Sequence, residues 1–190
     1  MLGYLTQKEG VLPVVRVPLT AAYWLNVNVP STYPDLGGQY RTLISRIVEF
    51  WTANNVAVIL DLHWNDDSSK QQPMALKGSA SAIDFWGAVA RQYGSNKRVM
   101  FELYNEPHLD SFDAFANGDA TYAGMLEMYQ TVRAVTSDSM IVYSFPCSLA
   151  LRRSSLPLPR SLSCSSLSVA PLLPRSLQRP LSLTPAVPST

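Results

Sequence analysis

The chain has 190 residues, of which 47% are hydrophobic and 15% are charged, and its formal net charge is +1. This length is enough for one domain with a sizeable core, or for part of a larger domain. The balanced charge gives no indication of a nucleic-acid or acidic partner. The sequence has no signal-peptide core and no membrane span, which fits either a cytosolic protein or a gene model without its first exon.

Charge and composition both change near residue 145. Residues 1–145 contain all 14 acidic residues and ten of the 15 basic ones, whereas residues 146–190 contain five arginines and no acid. Leu, Ser, Pro and Arg dominate this second part, and its eight prolines would interrupt helices and interior strands. We predict a domain over 1–145 and a disordered, low-complexity tail over 146–190. The tail is either a Pro/Ser-rich linker or aberrant translation of a wrong frame or an unspliced intron.

Four short apolar runs recur along the first part at a pitch of 41 to 43 residues, namely 11–19, 56–63, 98–104 and 140–145. Between them lie three segments with apolar residues at helical spacing, namely 40–51, 83–93 and 122–132. Strands that alternate with helices in this way are typical of a parallel sheet covered by helices.

Two α/β architectures have this pattern, an open doubly wound sheet and a (β/α)8 barrel. An open dinucleotide-binding sheet needs a glycine-rich turn after its first strand, and the sequence has no glycine there. Polar residues gather instead towards the ends of successive strands, where barrel enzymes place their chemistry. These residues are Arg16, His63, Asn105 and Glu106. The sequence therefore predicts a partial (β/α)8 TIM barrel with about four of the eight βα units.

Three strand-end motifs resemble those of glycoside hydrolase family 5, the cellulase-like family. The Asn-Glu-Pro triplet at 105–107 follows an apolar strand and is similar to that family's acid/base motif. The VRVPL segment around Arg16 resembles its second strand, and the VILDLHW segment that contains His63 resembles its third. Because the three motifs agree in order and spacing, the resemblance covers about residues 11–145, the N-terminal half of such an enzyme.

The resemblance implies a retaining mechanism with two carboxyl groups about 5–5.5 Å apart. Glu106 would be the general acid/base, and Asn105 would hydrogen-bond a sugar hydroxyl. Arg16 would keep the nucleophilic carboxylate ionised, and His63 would face the substrate or the catalytic carboxylates. The structural alternatives are a solvated loop glutamate, an arginine that caps a strand or pairs with Asp61, and a core histidine.

Three aromatic residues, Tyr23, Trp24 and Trp64, could stack against sugar rings as substrate-binding residues, and each could equally belong to the core. No ligand spacing supports a metal, and the resemblance implies no cofactor. The implied partner is a β-linked polysaccharide or oligosaccharide, with β-1,4-glucan preferred over mannan and β-1,3-glucan. The family is extracellular, although this chain shows no signal peptide.

The implied catalytic pair is incomplete in this sequence. The family's nucleophile is a glutamate that ends the seventh strand, and no acidic residue follows Asp138. Asp61 and Glu102 lie deeper in their strands than the expected position of the nucleophile. We therefore expect DNA beyond the codon for Phe145, in another frame or past an intron, to encode the missing units. The alternatives are a non-catalytic carbohydrate-binding remnant and a non-functional product of a disrupted gene.

Overall fold

The computed structural model describes residues 12–29, 32, 36–66 and 72–144, together with the backbone of 167–170. Its elements in chain order are β1 (Val14–Thr20), α1 (Ala21–Leu25), α2 (Leu36–Ala53), β2 (Ala57–Trp64), α3 (Ala82–Tyr93), β3 (Val99–Glu102), α4 (Phe112–Asn117), α5 (Met125–Val135), β4 (Met140–Ser144) and β5 (Leu167–Ala170). Within these ranges, no helix combines the length and the apolar character that crossing a membrane requires.

Strands β1 to β4 form one parallel sheet in which their spatial order is their sequence order. Helical segments connect each strand to the next, and α2, α3 and α5 bury apolar faces in a common core. The largest fully buried side chains include Trp24, Trp86, Tyr104, Phe85 and Phe101. Parallel strands in sequence order with helical crossovers are the repeat of a (β/α)8 barrel, so the predicted partial barrel is confirmed.

A fifth strand, β5, pairs with β4 in the antiparallel direction, with Val142 opposite Val169. No strand was predicted in this part of the chain. Residues 167–170 contain no proline, so every backbone N–H of this strand can join a ladder. The remainder of the predicted tail lies outside the described residues.

The three predicted helices are present, with shifted ends and narrower buried faces. The third begins at Met125 and not at 122, because Tyr122 forms a β-bridge with Leu76 and Gly124 precedes the first helical turn. Leu43 and Leu126 belong to the predicted apolar stripes, yet they are 54% and 49% exposed. The short helices α1 and α4 were not predicted.

The face of the sheet that would line a barrel leaves apolar side chains in solvent. Val14 lies on the same face as Arg16, because residues two apart in a strand point the same way. Met140 is paired in register with Met100 and lies on the same face as Glu102. Val14 and Met140 are 51% and 45% exposed. This face therefore offers apolar surface to a second molecule.

We expect the chain to associate or aggregate in solution, because this apolar face and the edge of β1, which no described strand covers, can both contact another copy. Sedimentation velocity over a concentration series measures the association. Replacing Val14 by Thr together with Met140 by Gln is expected to reduce it. A monodisperse monomer with cooperative unfolding would contradict this prediction.

Candidate active site

The register of three parallel strands brings charged side chains to one face of the sheet. Asp61 in β2 is paired with Pro18 in β1 and with Glu102 in β3, so the two acids lie at the same level. Arg16 lies two residues before Pro18, and His63 lies two residues after Asp61, so both share that face. One arginine therefore meets two carboxyl groups beneath a histidine.

Arg16 binds Glu102 in a bidentate manner, through two hydrogen bonds. Its Nε donates to Glu102 Oε2 at 2.6 Å, and its Nη2 donates to Oε1 at 2.9 Å. The same Nη2 donates to Asn105 Oδ1 at 2.7 Å and lies 3.0 Å from Asp61 Oδ2. The hydrogen bond with Glu102 raises the pKa of Arg16. The guanidinium is thus a permanent cation with a bidentate carboxylate partner, and it also contacts Asp61 as the structural alternative predicted.

Asp61 is the most buried acid of this group, with no exposed side-chain surface. Burial raises the pKa of Asp61 to about 8, and the charge of Glu102 adds to this effect while that of Arg16 opposes it. Its Oδ1 atom is buried and has no hydrogen-bond partner among the residues with described side chains. Since one guanidinium cannot neutralise two buried carboxylates, Asp61 is mainly protonated at neutral pH.

His63 stands directly above Asp61 and is partly open to solvent, with 21% of its side chain exposed. Its Nδ1 lies 2.7 Å from Asp61 Oδ2, and its Nε2 lies 3.5 Å from Asn105 Nδ2. Burial and the nearby charge of Arg16 lower the pKa of His63. The imidazole is therefore neutral at neutral pH, and it is not a core residue.

Glu106 lies beyond β3, which ends four residues earlier at Glu102 and is shorter than the apolar run at 98–104 predicted. It occupies a turn with φ of 44°, in the left-handed region that non-glycine residues seldom adopt. Backbone hydrogen bonds hold this turn on both sides, from Asn105 N to Leu62 O at 3.0 Å and from His108 N to Pro73 O at 2.9 Å. The turn is thus fixed to its neighbours while the Glu106 side chain remains exposed.

The Glu106 carboxylate acts electrostatically on the rest of the cluster. Its charge raises the pKa values of Arg16, Asp61 and His63, although it is not the largest cause for any of them. The four polar residues predicted from the strand ends, Arg16, His63, Asn105 and Glu106, therefore converge on one site.

The predicted aromatic residues are divided between the core and the surface. Trp24 is only 1% exposed and packs against Phe85 and Tyr93, so it belongs to the core. This corrects its assignment to substrate binding, because a stacking residue must present a ring face to the sugar. Tyr23 is partly buried and meets Tyr40 edge-on. Trp64 is 36% exposed and lies 4.0 Å from the His63 ring, between centroids, so it fits the stacking interpretation.

Asp61 was predicted as one possible partner of Arg16, whereas Glu102 was considered only as a substitute for the nucleophile. Both are acidic residues in mainly apolar runs of the sequence, and both share the inward parity of the site residues. That combination is the signal that could have identified them as partners of Arg16. Among the residues in the described ranges, no three His, Asp or Glu side chains form a group suited to a metal ion.

Residues 7–145 match the family described as Cellulase (glycosyl hydrolase family 5), which is more than half of the chain. The chain belongs to glycosyl hydrolase family 5. Endoglucanase A of Butyrivibrio fibrisolvens is 33% identical over 82 residues, which cover 43% of this chain and 16% of that protein. Endoglucanase Z of Dickeya dadantii (strain 3937) is 28% identical over 103 residues, which cover 54% of this chain and 21% of that protein. The family 5 chain thus aligns with a minor part of each of these relatives.

A solved endo-β-1,4-glucanase from Xanthomonas axonopodis pv. citri is similar in structure to this family 5 chain. The two are 25% identical, with a TM-score of 0.49. The similarity covers 67% of this chain and 38% of the solved one.

Proposed function

We propose that this chain forms the acid/base side of an enzyme that hydrolyses β-1,4-linked glucan by a retaining mechanism. Family membership supports glycoside hydrolysis, and the two endoglucanases support the choice of glucan. The observation that carries the proposal is the convergence of Glu106 and Asn105 with Arg16 and His63 at one end of a parallel sheet.

Glu106 is the proton donor of this proposal. It is solvent-exposed on a turn with two backbone anchors, so a glycosidic oxygen can approach its carboxyl group. When the bond between the anomeric carbon and that oxygen breaks, Glu106 donates a proton and the oxygen leaves as a hydroxyl. In the second step the ionised Glu106 takes a proton from the attacking water, which restores the acid.

The nucleophile of the proposed reaction lies outside this sequence. Asp61 and Glu102 cannot attack a sugar, because both are buried and both are bound to Arg16. In the 190 residues no acid follows Asp138, the last one in the chain. We therefore propose that a carboxylate from elsewhere completes the pair at about 5–5.5 Å from Glu106.

We expect the 190-residue chain to hydrolyse carboxymethylcellulose at the background rate, because proton donation alone does not form the glycosyl–enzyme intermediate. Reducing-end release measures the rate, and Glu106→Gln is the matched control. Turnover above background that disappears in Glu106→Gln would show that the chain contains a nucleophile. Turnover that Glu106→Gln leaves intact would contradict the role of Glu106 itself.

We expect the chain to bind cellopentaose saturably, with Trp64 as a stacking surface beside His63. Replacing Trp64 by Ala should weaken binding about tenfold, whereas Trp64→Phe should retain most of the affinity because it keeps a ring. Phe50→Ala removes another exposed ring from α2 and should leave the affinity unchanged. Isothermal titration calorimetry measures all four proteins.

Saturable binding without turnover is expected for a chain that lacks its nucleophile, and it also fits a carbohydrate-binding remnant. If a form of the protein hydrolyses glucan and Glu106→Gln abolishes that turnover, the chain belongs to an enzyme. A carbohydrate-binding remnant would have no turnover to lose. If the chain binds none of cellopentaose, mannopentaose and laminaripentaose, the proposal is overturned. The remaining interpretation is then a non-functional gene product.

A further inference from the structure

Four contacts close a ring at the base of the candidate site. The ring consists of Arg16, Asn105, His63 and Asp61. Arg16 Nη2 contacts Asn105 Oδ1 at 2.7 Å, and Asn105 Nδ2 contacts His63 Nε2 at 3.5 Å. The ring returns through His63 Nδ1 and Asp61 Oδ2 at 2.7 Å, and from the same oxygen to Arg16 Nη2 at 3.0 Å.

The chemistry of the donors gives this ring one direction. A guanidinium only donates, so the atom of Asn105 that faces Arg16 must be the amide oxygen. The amide nitrogen of Asn105 then faces His63, and because it only donates, Nε2 must be the acceptor. An imidazole that accepts at Nε2 carries its proton on Nδ1, from which it donates to Asp61 Oδ2.

We propose that Asp61 is a positioning residue, which holds His63 as the neutral tautomer with its proton on Nδ1 and a lone pair on Nε2. Asp61 supplies the acceptor that this tautomer needs, and its own position is fixed by burial and by Arg16. An imidazolium would place two donors, Nε2–H and the Asn105 amide, against each other. Burial and the charge of Arg16 lower the pKa of His63, which is consistent with the neutral form.

The ring gives His63 a defined task in the proposed reaction. A neutral imidazole with a lone pair on Nε2 accepts a hydrogen bond and cannot donate one from that atom. The imidazole is partly exposed and its contact with Asn105 is long, at 3.5 Å, so a sugar hydroxyl can take the place of the Asn105 amide at Nε2, and it must then act as the donor. This task depends on the proposed function, whereas the tautomer itself does not.

The tautomer can be measured directly by 15N NMR of the full chain labelled on histidine. The sequence has two histidines, so the resonances missing from His63→Gln assign the ring nitrogens of His63. We expect a pyrrole-type shift for Nδ1 and a pyridine-type shift for Nε2 at neutral pH. Magic-angle-spinning spectra give the same assignment if the chain associates. Protonation of Nε2 in the unmodified chain, alone or together with Nδ1, would overturn the proposal.

Two substitutions at Asp61 separate positioning from simple packing. Asp61→Asn keeps an oxygen that accepts from Nδ1, and the tautomer is expected to persist. Asp61→Ala removes that acceptor, so the pure Nδ1–H signature is expected to be lost to a mixture of tautomers. Should Asp61→Ala fold and retain the unmodified signature, Asp61 does not hold the tautomer. Should it fail to fold, the unmodified chain and Asp61→Asn still decide, because loss of the signature in Asp61→Asn would also refute the ring.

Cellopentaose affinity provides the functional measurement. In a variant set with His63→Ala, adding Asp61→Ala should weaken binding no further than His63→Ala alone, because Asp61 acts through His63. Additive losses would overturn the positioning role. If no protein of the set binds cellopentaose, the proposed function fails, and the 15N spectra alone decide the tautomer.

Discussion

Replacing Glu102 by Gln is expected to lower the free energy of unfolding by about 3 kcal/mol at neutral pH, at the lower end for a broken buried ion pair because Arg16 is partly exposed. The amide removes the carboxylate that binds both arms of the Arg16 fork at 2.6 and 2.9 Å. The guanidinium would then face the buried Asp61 as its nearest acid. Urea denaturation followed by tryptophan fluorescence measures the change.

The matched control is Asp61→Asn, which changes the other acid of the pair in the same way. Because Asp61 is mainly protonated at neutral pH, the amide replaces a neutral group and the loss should be smaller, about 1 kcal/mol. Both acids contact Arg16, so the difference between the two losses in unfolding free energy shows which acid carries the negative charge. Equal losses in Glu102→Gln and Asp61→Asn would contradict the assignment of the charge to Glu102.

The fold could be predicted because its signals are local and repeated. Apolar runs at a nearly constant pitch indicate strands, and the helical stripes between them indicate crossovers, which together leave few topologies. The exposure of Leu43 on α2 and of Leu126 on α5 could not be predicted in this way. A stripe shows which side of a helix is apolar, but the width of the buried face depends on neighbouring elements.

The residues of the candidate site were predicted from the sequence, but their contacts with one another were not. Polar residues at strand ends identified Arg16, His63, Asn105 and Glu106, and the structure brings them together. Which acid binds an arginine depends on the register between strands, and a single sequence does not contain that register. Here the register places Asp61 and Glu102 side by side, and both contact Arg16.

The position of Glu106 shows a second limit. The apolar run at 98–104 predicted a longer strand, but the ladder between β2 and β3 ends at Asp61 and Glu102. Beyond that point Leu103 and Asn105 donate to the strands on either side, to Val142 O and Leu62 O. Such a segment is extended and buried like a strand, so composition cannot distinguish it from one.

The stability of the chain is expected to fall as the pH rises from about 6.5 to about 8. Asp61 has a pKa of about 8 in the folded chain, against 3.8 for an unperturbed aspartate. Between these values the folded state binds more protons at Asp61 than the unfolded state does, so raising the pH favours unfolding. Each pKa unit corresponds to about 1.4 kcal/mol, and the contribution of Asp61 is therefore on the order of several kcal/mol at low pH.

Other groups around Asp61 determine in which part of this pH range the effect of Asp61 on stability can be observed. The groups that interact with it are Arg16 from β1, Tyr40 from α2, His63 from β2, Glu102 from β3, and Tyr104 and Glu106 from the segment that follows. His63 has a lowered pKa in the folded chain, so its contribution rises with pH up to its ordinary value of 6.5 and opposes that of Asp61. Above pH 6.5 this opposition ends, and the decrease due to Asp61 should become visible.

Urea denaturation at half-unit steps from pH 5 to 9 measures the dependence, with Asp61→Asn as the control. The amide does not titrate, so in that variant the decrease between pH 6.5 and 8 should disappear, and the rise due to His63 should become visible below pH 6.5. His63→Gln should show the reverse, with the decrease due to Asp61 retained and extended below pH 6.5. An unmodified chain with constant stability from pH 6.5 to 8 would mean that Asp61 is already ionised in the folded state. In that case Arg16 would neutralise Asp61 as well as Glu102, and the expected difference between Glu102→Gln and Asp61→Asn would also be absent.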